Sequence, residues 1–290
     1  MWVHLPWRRR DAAPVRIEIL VIDAATNKRV ENVLRVNVQR QFGDLLFQPV
    51  TVPGEYFVYY LPYKTEGSWY FPATVYLPPT DTAQGAWAEA CKLVVDRLRA
   101  GNTTDLPAAR VLEFQAINEF HRFDPMEVVA SPEELRTLLA AHPDRPYLLF
   151  PEDRKYPIRM TDELPLRWVR NGPSEAFAGE GCRGEFYAWQ IGMYASGQAL
   201  EEVTVTLSDL TSADGTDGKT IPATAMHCFN LGGTGWLGWP LHKIVSVPQG
   251  KVQALWFGVA VPRDTAPGTY RGTVTLRAKN VSSTPVALTL

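Results

Sequence analysis

Hydrophobic and polar positions alternate with a period of two along much of this chain, and that period predicts strands. In residues 15–22, Val15, Ile17, Ile19 and Val21 fall on one face with Arg16 and Glu18 on the other. A turn-like run, Asp23 to Lys28, separates this segment from residues 30–38, where Leu34, Val36 and Val38 alternate with polar neighbours. The two runs read as a hairpin. Two further extended runs, residues 45–52 and 56–61, flank Pro53-Gly54, a dipeptide suited to a tight turn.

The period changes to that of a helix over residues 83–100. Trp87, Ala90, Cys91, Val94, Val95 and Leu98 share one helical face there, and Gly101 supplies a terminator. A shorter helix is predicted to start at Ser131, where Ser131-Pro132-Glu133-Glu134 offers a hydroxyl cap, a proline in the first turn and a glutamate to close a capping box. Residues 150–165 are rich in proline and charge and mark the expected domain boundary. Beyond them no helical period is read. Short runs at residues 185–194, 203–207, 244–247, 252–261 and 269–278, set between Gly, Pro and Asp turns, predict antiparallel strands.

The expected fold is therefore mainly β, with two antiparallel β-sandwich domains. The first, residues 1–155, carries one or two inserted helices; the second spans residues 160–290. Length agrees, since 290 residues with 46% hydrophobic content suit two cores better than one. The last strand pattern runs to the final residue, which leads us to expect a segment after Leu290. At the other end, Arg8-Arg9-Arg10 follows Trp7 with no apolar core of a signal peptide behind it. The chain is expected either to stay inside the cell or to lack its true start.

Charge narrows the partners. Lys and Arg number 29 against 31 Asp and Glu, a net charge of −2, so no overall field favours a polyanion and nucleic acid is not an expected partner. No apolar run is long enough for a membrane span. Cys91, Cys182 and Cys228 stand far apart without a CxxC pair, and His4, His121, His142, His227 and His242 lack metal-ligand spacing, so no metal site and no cofactor are expected. A bridge between Cys182 and Cys228 stays open.

Paired carboxylates are the residues that general acid–base chemistry would need. Asp162-Glu163, Glu201-Glu202 and Glu152-Asp153 are the candidates, each read as a solvated loop or surface ion pair. Neighbouring carboxylates on a strand point to opposite faces. No nucleophile elbow or phosphate loop is present, and the chain lacks the strand-helix alternation of a β/α barrel. No catalytic residue is assigned. Trp236 and Trp239, in the glycine-rich run Leu231-Gly232-Gly233-Thr234-Gly235-Trp236-Leu237-Gly238-Trp239, are the candidate contact residues. Their rings would meet a sugar or a neighbouring domain, or pack as a corner of the sandwich.

One run carries a family resemblance. Arg183-Gly184-Glu185 leads into a strand with Gln190-Ile191, Ser208-Asp209-Leu210 ends the next strand, and Val261-Pro262 precedes Ala266-Pro267-Gly268-Thr269-Tyr270-Arg271-Gly272. This pattern resembles the sandwich domain that precedes the barrel in glycoside hydrolase family 123 and its relatives. The resemblance covers residues 160–290; the first 150 residues resemble only the front module of the relatives. It implies a non-catalytic front region supporting or orienting a downstream (β/α) barrel of the same polypeptide. The parent would act on N-acetylgalactosaminide-type bonds, through an Asp-Glu pair on the barrel, and would be exported. An independent carbohydrate-binding or structural surface module is the alternative. The aromatic run Tyr56-Phe57-Val58-Tyr59-Tyr60 joins the two tryptophans in favouring glycan binding.

Overall fold

The computed structural model describes residues 1–11, 13–119, 122–213, 220–279 and 281–290. They form two compact units, Met1–Phe123 and Asp124–Leu290.

The first unit contains strands β1 (Trp2–Leu5), β2 (Ile19–Asp23), β3 (Lys28–Arg29), β4 (Val33–Val38), β5 (Gly43–Phe47), β6 (Tyr56–Tyr60), β7 (Tyr63–Ser68), β8 (Phe71–Tyr76) and β9 (Ala108–Ala109), with helices α1 (Gly85–Ala90) and α2 (Lys92–Arg99). One sheet runs β4-β5-β1-β9 and a second runs β3-β2-β6. Alternation explains how they pack. Val3, Leu5, Leu45 and Phe47 turn one way and join Trp7, Ile19 and Val21 in a core between the sheets. Trp2, Leu46 and Val36 turn the other way and meet Trp87, Cys91, Val94, Val95 and Leu98 of the helices. The predicted helical face thus packs on the sheet, except for Ala90, which is exposed. The helix is broken in two at Cys91, and Gly101 ends the second piece with φ +75°.

The opening strand differs from expectation. Residues 14–16 form a 3-10 turn with Val15 exposed, and the strand starts only at Ile19. Glu18, assigned to the solvent face, is buried. Its carboxylate accepts hydrogen bonds from the Thr80 N–H at 2.9 Å and from the Thr80 hydroxyl, and pairs with Arg29 at 3.4 Å. That paired charge anchors the returning chain at the strand's foot. The expected hairpin is also shortened, because β2 pairs only with Lys28–Arg29 and then with β6, while β4 crosses to the other sheet beside β5.

The second unit contains α3 (Pro132–Ala140), β10 (Leu148–Asp153), α4 (Leu166–Asn171), β11 (Ala176–Ala178), β12 (Phe186–Tyr194), β13 (Thr204–Leu207), β14 (Leu210–Ser212), β15 (Thr220–Ile221), β16 (Met226–Cys228), β17 (Gly232–Thr234), β18 (Pro240–His242), β19 (Val252–Ala260), β20 (Tyr270–Arg277) and β21 (Thr284–Thr289). A sheet in the order β10-β12-β19-β16 faces a sheet in the order β11-β21-β20-β14-β15, with β13 also on β20. Between them lie Trp189, Ile191, Met193, Leu255, Phe257, Val274, Leu276, Val286 and Leu288. This is a β-sandwich core.

β12 is buried on both faces, and the outer one is covered by helices. Trp168 of α4 lies over Gly192, where an added Cβ would stand 2.3 Å from the indole, and its ring stacks on Phe150 at 4.5 Å. The Trp168 Nε1–H donates to Glu152 at 3.0 Å, and Arg167 pairs with the same carboxylate at 3.0 Å. α3 begins as predicted, with Ser131 and Glu134 closing a capping box. α4 itself lies beyond residue 165, where no helix was expected. Six residues are too few to show a period.

The division between units falls at Phe123/Asp124, earlier than the proline- and charge-rich stretch suggests. Residues 124–160 lie in the second unit because β10 pairs with β12 along its length, from Leu148 with Tyr194 to Asp153 with Trp189. The proline-rich stretch is held as well, since Gln190, fully buried, accepts from the Ile158 N–H at 2.7 Å and donates to the Tyr156 carbonyl at 3.3 Å. Proline and charge here mark a tethered return and not a linker.

Candidate functional site

The glycine-rich run that holds the candidate tryptophans forms a hairpin. β17 pairs with β18, Gly232 opposite His242 and Thr234 opposite Pro240, as a two-stranded sheet of its own. Its tip is closed by the Gly235 N–H donating to the Trp239 carbonyl at 2.8 Å and the Gly238 N–H to the Gly235 carbonyl at 2.9 Å. Gly238 has φ +82°, a conformation that a side chain would resist. Trp236 is 93% exposed and Trp239 72%, with Leu237 and Ile244 exposed beside them. The rings are therefore presented outward and do not form a packed corner of the sandwich.

The aromatic run of β6 divides between two environments. Tyr60 stacks on Trp7 at 4.2 Å and Tyr56 meets Phe47 at 5.1 Å, so alternate residues serve the core, while Phe57 and Tyr59 are exposed. A second aromatic hairpin was not singled out from the sequence. β7 and β8 form their own two-stranded sheet, and the tip between them carries Trp69, Tyr70 and Phe71, exposed at 91%, 83% and 82%. Three successive aromatics after Gly67-Ser68 were the available signal.

The carboxylate pairs are engaged elsewhere. Glu152 and Asp153 point to opposite faces of β10, the first to Arg167 and Trp168, the second accepting from the Tyr187 hydroxyl at 2.6 Å. Burial works to raise the Asp153 pKa, but hydrogen bonds from the Tyr187 hydroxyl and the Lys155 N–H outweigh it and hold it below the usual carboxylate value. Glu185, receiving the Cys182 N–H and pairing with Arg154 at 2.5 Å, is lowered as well. Asp162 pairs with Lys251 at 2.8 Å and Glu202 with Lys279 at 2.7 Å. These are ties within the second unit.

His4 meets Asp44 at 2.8 Å, and His227 and His242 lie exposed on β16 and β18. His142 follows α3, and His121 lies outside the described residues. Among the described residues no group of three His, Cys, Asp or Glu is placed to hold a metal ion. Cys91, Cys182 and Cys228 are free thiols, so the Cys182–Cys228 bridge left open above is not formed: Cys182 sits exposed in a turn, while Cys228 lies half-buried on β16.

The residues behind the family resemblance have structural roles. The Ser208 hydroxyl accepts from the Thr273 N–H at 2.9 Å, Asp209 accepts from the Ala223 N–H at 2.7 Å, and Leu210 enters the core. Tyr270 is buried and donates its hydroxyl proton to the Ala266 carbonyl at 2.9 Å.

Comparison with known proteins bears on the other unit. Residues 1–117 match the family model described as Glycoside hydrolase 123, N-terminal domain. The resemblance read from the sequence is thereby supported, though the match lies in the first unit and the quoted residues lie in the second. No curated protein matches the chain. Among solved structures, a family 123 glycoside hydrolase from Clostridium perfringens, studied for glycolipid glycan hydrolysis, aligns at 16% identity and TM-score 0.34 over 42% of this chain. That alignment spans 23% of the clostridial chain's length. A PapD-like domain of human CEP192 aligns at 12% identity and TM-score 0.27, covering 40% of this chain and 79% of that one. The fimbrial subunit MyfA of Yersinia enterocolitica, solved with galactose, aligns at 18% identity and TM-score 0.26, covering 38% and 90%. Similarity at these scores adds nothing to the fold described above.

Proposed function

We propose that this chain is the accessory front region of a glycoside hydrolase, supporting and orienting a (β/α) barrel linked in the same polypeptide. The observation that carries this reading is the match of residues 1–117 to the family 123 N-terminal domain. The Trp236/Trp239 hairpin supplies the contact in this proposal, because exposed tryptophans on a closed turn are suited to bury against a neighbouring domain. By the family resemblance, the substrates of the parent are N-acetylgalactosaminides.

Reading the source gene beyond codon 290 is the direct test. A barrel-encoding frame is expected; a stop codon or a tandem array of sandwiches would end the proposal. Once the barrel is in hand, Trp236→Ser with Trp239→Ser should weaken its association with this chain at least about tenfold.

The exposure of the same tryptophans also favours a second reading, an independent carbohydrate-binding module. Titration with galactosamine-containing glycans, followed by tryptophan fluorescence, separates the two. A saturable response lost in the double variant supports glycan binding, and a flat response at millimolar sugar rejects it.

A further inference from the structure

We infer that Asn171 is a site of slow covalent self-modification, converted through its neighbour Gly172 to aspartate and isoaspartate, and that the last turn of α4 sets the rate. This chemistry needs no downstream barrel. Asn171 is the only asparagine in the sequence followed by glycine. The pairing matters because the Gly172 backbone nitrogen is the nucleophile, and glycine has no Cβ to crowd it. That nitrogen attacks Cγ of Asn171, the new N–Cγ bond closes a five-membered imide, and the Cγ–Nδ2 bond breaks. Ammonia leaves, carrying the proton that the nitrogen gives up. Water then opens the imide at either carbonyl. One opening leaves aspartate; the other leaves isoaspartate, in which the main chain runs through Cβ and Cγ. The net change is amide plus water to carboxylic acid plus ammonia, so solvent is the only co-reactant.

The surroundings admit this reaction. Asn171 is exposed as the last residue of α4, so water reaches it. A Cβ added at Gly172 would meet nothing within 4 Å, so the space beside the nucleophile is open. The backbone holds the reaction back. The Gly172 N–H donates to the Trp168 carbonyl at 2.9 Å, which turns it into the helix end. Asn171 is itself helical, and a helical ψ of about −42° keeps its Cγ away from the next nitrogen. Ring closure needs the two eclipsed about the Cα–C bond. The last turn must therefore open before the imide forms.

That opening is bounded by two anchors. Trp168 is seated over Gly192 on one side, and on the other the Ser174 N–H donates to the Leu149 carbonyl of β10 at 2.9 Å. Only Asn171, Gly172 and Pro173 lie outside them at the junction, and the fraction of time this segment is open sets the rate. Reclosure after reaction is impaired. A carboxylate at a helix C-terminus is opposed by the macrodipole. The extra main-chain carbon of isoaspartate also moves the Gly172 N–H off the Trp168 carbonyl. The change thus runs one way and loosens α4 from β12.

The test incubates the whole 290-residue chain in mildly alkaline buffer and follows each asparagine by mass spectrometry, after digestion at low pH to stop the reaction. In urea, Asn171 should convert before every other asparagine. In the native chain it should still be first, about a hundredfold more slowly than in urea. Trp168→Phe, which keeps the ring stack and loses the bond to Glu152, should raise the native rate about tenfold and leave the urea rate unchanged. Near-UV circular dichroism establishes that this variant is folded; if it is not, Ser174→Pro, which removes the N–H given to Leu149, should raise the native rate instead. In the separated product, β12 amides should exchange faster than in the fresh chain. Conversion of Asn171 as fast in the native chain as in urea overturns the gate, as does a folded variant with an unchanged rate. Another asparagine converting first overturns the site, and unchanged exchange in β12 overturns the loosening.

Discussion

Removal of the Trp168 side chain tests whether residues 124–171 are built into the second sandwich. Trp168 is 2% exposed, stacked on Phe150 at 4.5 Å and seated over Gly192. Truncation of a buried aromatic to alanine costs about 3–5 kcal/mol, transfer and cavity together. The change also takes one of the donors from the buried Glu152, adding about 1 kcal/mol. The expected loss for Trp168→Ala is therefore about 4–6 kcal/mol. Hydrogen exchange followed by mass spectrometry reads this locally, since β12 lies directly beneath the indole. At about 1.4 kcal/mol per decade, its amides should exchange at least about a thousandfold faster. Trp168→Phe keeps the ring stack and loses only the donor and some volume, so about 1–2 kcal/mol is expected. Acceleration of β12 exchange by less than tenfold in the alanine variant would refute the reasoning, because α4 would then be a loosely attached part of a linker.

Three further outcomes are expected. Asp23, with the Thr51 hydroxyl and the Thr26 amide bonded to its carboxylate, has its pKa lowered to about 2. A depressed native pKa stabilises above the unfolded value of about 3.9 and is lost as pH falls through the native one. First-unit stability, followed by urea melts, should thus decline between about pH 4 and pH 2, and Asp23→Asn should flatten that decline. Ser131→Ala removes the cap of α3 and should cost about 1 kcal/mol in second-unit stability by the same exchange measurement. Thiol labelling of the native chain should find Cys182 fast and Cys228 slow, because burial shields the Cys228 thiol and raises its pKa. Equal rates would contradict the burial.

Much of this architecture was legible from periodicity. The strands at residues 186–194, 252–260 and 270–277 and the capped helix at Ser131 follow from alternation and capping chemistry, both local signals. Errors arose where a distant partner decided the outcome. Glu18 reads as a surface residue until Thr80, far along the chain, supplies its hydrogen bonds. The stretch at residues 150–165 reads as a domain boundary until Gln190, from a later strand, supplies hydrogen bonds to Tyr156 and Ile158. For the candidate site, glycine spacing pointed to Trp236 and Trp239, and their exposure followed only from the hairpin's separation from both sheets. Trp69 to Phe71 drew no reading, because their exposure rests on a hairpin that stands apart from both sheets and aromatics are common in strands in any case.

The placement of β12 has a consequence for the order in which this protein can be made. Its sheet neighbour β19 begins at Val252, while β12 ends at Tyr194, so the ribosome adds nearly 60 residues before the pairing is available. At about 5–20 residues per second, the run Phe186-Tyr187-Ala188-Trp189-Gln190-Ile191-Gly192-Met193-Tyr194 would wait roughly 3–12 s with one edge open. β10 and α4, already synthesised, cover its other edge and one face in that interval. The elements made first thus already cover one edge and one face of this buried strand while its later partner is still to be made.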